Sequence, residues 1–152
     1  MKIQWKVLVV SLVVVYAVAL IGSLFTSGNT SGEWYESVKP SITPPNWVFP
    51  IVWNVLFFLI ALSLYFAWIR GKEKRKIMIF YGINFLLNIL WSALFFSWKK
   101  TKLAFFELIL LWLSILYLII FTYNKDKKAA YLLIPYLLWV SFAGILNYLI
   151  VF

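Results

Sequence analysis

A chain of 152 residues that is 64% hydrophobic and 21% aromatic, with a mean hydropathy of +0.93, has too few polar side chains to coat a water-soluble globule. Its formal net charge of +9 would suit a nucleic-acid binder in a soluble protein, but the basic residues fall in short segments between apolar runs, where anionic lipid accounts for them without any nucleic acid. There is no Cys and no His, which removes disulfides, thiolate nucleophiles, zinc sites, histidine general bases and His- or Cys-ligated haem. No metal site is expected.

The apolar residues form five runs, approximately 5–25, 47–69, 77–98, 103–123 and 129–152. Each is about the 20 residues that an α-helix needs to cross the hydrocarbon of a bilayer. They are continuous rather than alternating in polarity, and too long for barrel strands. The expected fold is an all-α membrane protein, a bundle of five transmembrane helices forming a single domain over residues 1–152.

The first run follows Lys2 and Lys6 and carries Ala17-Val18-Ala19, a spacing that resembles a signal-peptide cleavage site. The run continues through Leu20, Ile21, Leu24 and Phe25 to spanning length, so a retained helix is expected. The loop that follows opens with a flexible polar stretch, Ser27 to Gly32. It then stiffens through Trp34, Tyr35, Pro40, Pro44 and Pro45 into what reads as a preformed lid on the membrane face. Asn46 is placed to cap the second helix, and Pro50 is tolerable because it falls in that helix's first turn. The remaining turns are short and predict antiparallel neighbours packed in sequence order.

Ten of the 14 basic residues lie in the N-terminus and the segments 70–76 and 124–128; Lys39, Lys99, Lys100 and Lys102 make up the rest. The positive-inside rule then places the N-terminus in the cytoplasm and the 34–47 loop and C-terminus outside, in a multi-pass cell-membrane protein.

Several polar and aromatic residues sit at membrane depth. Asn84, Asn88, Trp91 and Phe95 share one helical face, as do Trp139, Ala143 and Asn147, so the two stripes can face one another. Amides in hydrocarbon need partners, so these asparagines and Asn54 imply interhelical hydrogen bonds or a polar-edged cavity. Trp5, Trp34, Trp47, Trp68 and Trp98 fit an interfacial belt. Trp53, Trp91, Trp112 and Trp139 are too deep for that and serve either core packing or a ligand wall. Pro135 removes a donor and leaves the Tyr131 carbonyl without its usual partner, which predicts a kink. Glu107 is the one acidic residue within a span, with a structural role and proton coupling both open.

Taken together, Trp34-Tyr35, Lys39-Pro40, Thr43-Pro44-Pro45, Trp47-Val48-Phe49 and Trp53, then Asn84, Asn88, Trp91-Ser92 and Phe95-Phe96, then Pro135-Tyr136, Trp139, Ser141-Phe142-Ala143 and Leu146-Asn147 resemble the TspO/MBR (translocator protein, tryptophan-rich sensory protein) family over essentially the whole chain. The resemblance implies five helices, often in a homodimer, that bind protoporphyrin IX, haem and isoquinoline-type molecules in a pocket under the first loop, with no cofactor required. Some members promote light-dependent protoporphyrin degradation. By position, Tyr35, Pro44, Trp53, Asn84, Asn88, Trp91, Trp139, Ala143 and Asn147 would line the pocket.

The residue chemistry is compatible with that: indoles offer stacking faces, while Lys39 and the asparagines offer donors for a porphyrin's carboxylates. By the same resemblance, Trp53 and Trp139 are the candidate photochemical residues. The resemblance equally implies a role in stress sensing, and transport of porphyrins or similar amphiphiles is the alternative. Animal relatives carry a sterol-recognition pattern ending in a basic residue after the last tyrosine; here Tyr148 is followed only by Leu149, Ile150, Val151 and Phe152, so sterol transport is not expected.

Overall fold

The computed structural model describes residues 3–30 and 32–152; Lys2 of the basic N-terminus and Ser31 of the polar loop lie outside the described residues. Seven α-helices and one π-helical turn follow in order: α1 (Trp5–Thr26), α2 (Glu33–Val38), α3 (Val48–Arg70), α4 (Lys74–Ser92) continued by the π turn Ala93–Ser97, α5 (Thr101–Tyr123), α6 (Lys127–Tyr131) and α7 (Ile134–Val151). Among the described residues, five helices are long and apolar enough to cross a membrane: α1, α3, α4 with its π turn, α5, and α6 with α7. This is a multi-pass membrane protein, as composition and run length imply.

The fifth span is broken where Pro135 predicts. The chain turns at Leu132 and Leu133, and Pro135 occupies the first turn of α7, where its missing N–H costs little. Pro50 likewise lies in the first turn of α3. Asn46 does not cap that helix. Its amide donates instead to the Glu36 carboxylate at 3.2 Å, tying the loop to α2, and Trp47 occupies the cap position without a side-chain bond.

Packing departs from sequence order. α1 packs extensively against both α3 and α4, more than those two pack against each other, while α4 packs on α5, α5 on α7, and α6 returns to α3. Short turns force antiparallel neighbours but leave open which neighbour is covered most, and here α1 occupies the space between spans two and three.

The two ends of the bundle differ in charge. At one, Lys125 and Lys76 both pair with Glu73, and Arg70 pairs with Asp126. The chain at Gly71 passes so close to the Ala67 carbonyl and Ile77 that an added Cβ would sit 2.6 Å from each. At the other end lie α2, the 97–101 turn and the C-terminus; the Ser97 hydroxyl ties that turn to the end of α1 by donating to the Phe25 carbonyl at 3.1 Å.

Hydrogen bonds from Lys125, then from Lys76, hold the Glu73 carboxyl down to about 2. A depressed folded pKa means the interaction is fully present above the ordinary value of 4.5 and is lost as pH falls through about 2. The difference in Tm between the parent protein and Glu73→Gln in detergent should therefore shrink as pH is lowered from 4.5 toward 2; a constant difference would show that the pairs do not form.

Candidate functional site

The end opposite the basic turns is where most residues singled out from sequence converge, in two groups. The first begins at the π turn. Regular helical geometry would send part of Ala93-Leu94-Phe95-Phe96 to lipid, yet all four are buried. The widened turn, with the Trp98 amide donating to the Ala93 carbonyl at 2.9 Å, turns Phe95 and Phe96 inward together. Lys99 then takes a left-handed backbone (φ 53°) that ends the span.

Onto this pair settles α2, a helix where the sequence suggested only a stiff loop. Tyr35 packs edge-on against Phe95 and Phe96, and Trp34 against Phe95. Burial, with the Glu36 charge next, pushes the Tyr35 hydroxyl above its ordinary pKa. Lys39 ion-pairs with Glu36 at 2.6 Å, and Pro44 is half-buried in the same loop. Beneath, Trp91 stacks on Phe95 with centroids 5.1 Å apart.

The asparagines are bonded within the bundle. Asn88 Nδ2 donates to the Tyr136 hydroxyl (3.0 Å), which donates to Asn84 Oδ1 (3.4 Å); Asn84 Nδ2 donates to Ser114 (2.8 Å), which donates to the Leu111 carbonyl (2.7 Å). This chain of bonds crosses α4, α7 and α5. A second tie runs from the Trp91 indole to Asn147 Oδ1 (3.3 Å) and from Asn147 Nδ2 to the Thr101 carbonyl (3.0 Å). The α4 and α7 stripes do meet, but the amides expected as free donors at a pocket rim are engaged. Asn54 bonds within its own helix, to the Pro50 carbonyl, on an exposed face. Sequence reasoning did not single out Tyr136 as a functional residue, although two asparagines one turn apart call for a buried partner with both a donor and an acceptor.

The second group lies between α3 and α7. Trp53 stacks on Phe57 (5.3 Å) and meets Tyr136 edge-on (6.1 Å); Trp139 meets Phe49 edge-on (5.7 Å) and lies beside Phe142. Both indoles and Ala143 are half-buried, so parts of the rings are uncovered. Trp112 belongs to neither group, its indole donating to Ser141 at 2.8 Å. Glu107 is buried among the spans, and neither of its carboxyl oxygens has a hydrogen-bond partner among the described residues.

The sequence profile of the TspO/MBR family matches residues 10–152. The chain belongs to the TspO/MBR family. It is 39% identical to a tryptophan-rich protein TspO of Archaeoglobus fulgidus, with 94% of each chain covered. It is 36% identical to a protein of the same name from Chlorobaculum tepidum, covering 88% of this chain and 87% of that one. The translocator protein of Bos taurus is 31% identical over 84% of this chain and 78% of its own. For this TspO/MBR member, the buried amide chain is the element most exposed to a single change. Tyr136→Phe removes a donor and an acceptor at once, and should lower unfolding free energy in detergent by about 1–2 kcal/mol; an unchanged midpoint would mean that the hydroxyl is not bonded to Asn84 and Asn88.

Proposed function

We propose that this protein binds tetrapyrroles such as protoporphyrin IX or haem, and flat isoquinoline-type molecules, against the aromatic surface between α3 and α7 beneath the first loop. The observation that carries this reading is the pair of half-buried indoles, Trp53 and Trp139, held by Phe57, Tyr136 and Phe49 with ring area left uncovered. A porphyrin is a wide apolar disc edged by carboxylates, and fixed indole faces suit such a disc. Lys39, released from Glu36, would be a charge-assisted partner for a propionate. With no His or Cys in the chain, haem is held as a planar hydrophobe, and free-base porphyrin is at least as good a ligand.

The same two indoles are the candidates for light-dependent degradation: an excited ring in contact with one of them takes an electron from it, with dioxygen as terminal oxidant. The N-terminus is read as cytoplasmic, with the loop and the C-terminus outside, from the basic-residue asymmetry. A homodimer is the assembly that the family resemblance suggests.

Titration of detergent-purified protein with protoporphyrin IX, first in the dark and then under illumination, tests both parts. The expected result is a saturable absorbance shift, weakened by Trp53→Phe or Trp139→Phe, and bleaching slowed in at least one variant. No shift would remove the binding reading; unchanged bleaching in both variants would remove the photochemical one.

Transport of porphyrin-like amphiphiles is the second reading, favoured by the unpartnered Glu107 carboxyl inside the bundle. It predicts vesicle uptake that depends on a proton gradient and disappears in Glu107→Gln; binding and bleaching without flux would exclude it.

A further inference from the structure

We propose that the groove between α1, α3 and α4 at the basic end holds one anionic glycerophospholipid, an acyl chain along the groove and the phosphate taken by Lys6 and Arg75. The groove encloses about 480 Å³, within the range of sites that hold small molecules. Its walls are almost wholly apolar: Val7, Val10 and Val14 from α1, Leu64 and Trp68 from α3, Met78 and Phe85 from α4. Polar chemistry is confined to Lys6, Ser11 and Tyr81. An apolar trough with a cation at one end matches a lipid tail and its headgroup.

The cations sort by partner. At the start of α4, Lys74 donates to the Trp68 carbonyl and lies 5.1 Å from that indole's centre, and Lys76 pairs with Glu73. Arg75 and Lys6 are exposed and have no acidic partner among the described residues. Glu73, the acid nearest in sequence, already carries two lysines. Arg75 shares a helical face with Met78, Gly82 and Phe85, at steps of three, four and three, so it heads the α4 wall of the groove. α1 and α4 both start at this end, and their N-terminal dipoles add to the attraction for a phosphate.

Gly82 keeps the groove open. A Cβ added there would meet nothing within 4 Å, and the residue has ordinary helical backbone, so a larger side chain would enter the groove without strain. A second copy of the chain is the competing occupant, and it would reveal itself by a change of oligomeric state.

Native mass spectrometry of delipidated protein titrated with phosphatidylglycerol or phosphatidylcholine of identical acyl chains tests the assignment. Phosphatidylglycerol should bind preferentially at one site, and Gly82→Phe should reduce that binding at least tenfold while leaving the porphyrin titration unchanged. Lys6→Gln and Arg75→Gln, both at exposed positions, should each weaken phosphatidylglycerol about fivefold and weaken zwitterionic phosphatidylcholine less. Equal binding of the two lipids, full binding to Gly82→Phe, or equal competition by glycerophosphate lacking acyl chains would overturn the proposal. So would a change of oligomeric state in Gly82→Phe with bound lipid unchanged, which would make a second copy the occupant.

Discussion

The fold rests on satisfying amides where no water is available. In hydrocarbon, helices gain little by hiding leucine from lipid, so close packing and interhelical hydrogen bonds set which surfaces meet. Here the bonds run from Asn88 through Tyr136 and Asn84 to Ser114, and from Trp91 through Asn147 to Thr101, linking α4, α5 and α7. A third, from the Tyr81 and Ser63 hydroxyls to the Ala129 carbonyl, joins α4, α3 and α6 nearer the basic end. Each bond individually contributes on the order of 1 kcal/mol, but leaving any of these groups unpaired would cost more.

That constraint divides labour among the tryptophans. Trp91 and Trp112 spend their indole N–H groups on interhelical bonds and act as structure. Trp53 and Trp139 make no indole hydrogen bond among the described residues and are held by neighbouring rings and the core, with part of each ring uncovered. The division is one of chemistry: a committed N–H fixes the orientation of its ring, while an indole held by packing alone keeps the uncovered part of its ring for a flat partner.

The spans, the break at Pro135 and the two facing stripes were readable from sequence because run length, proline chemistry and helical period each act locally. Neighbour order was not, since a short turn states that two helices are antiparallel and nothing about which third helix lies between them. The α2 helix was hidden because Trp34, Tyr35 and the prolines also suit an irregular lid; only the Phe95–Phe96 surface below makes a helix the better way to bury Tyr35. Asn46 reads as a cap in isolation, and the competing carboxylate of Glu36, ten residues away, is a tertiary fact. The asparagines were recognised as partners-in-waiting, but the hydroxyls of Tyr136 and Ser114 that receive them come from other helices.

The π turn makes chain length itself a constrained quantity in this protein. With the Trp98 amide reaching back five residues, segment 93–97 holds one residue more than a regular helix would place in that rise. Removing a single residue there would restore α-helical winding, with successive side chains spaced about 100° around the axis. Phe95 and Phe96 could then no longer both face α2, and the platform on which Tyr35 rests would be dismantled without any side chain's chemistry having changed. Evolution can therefore exchange residues in this stretch far more readily than it can shorten it.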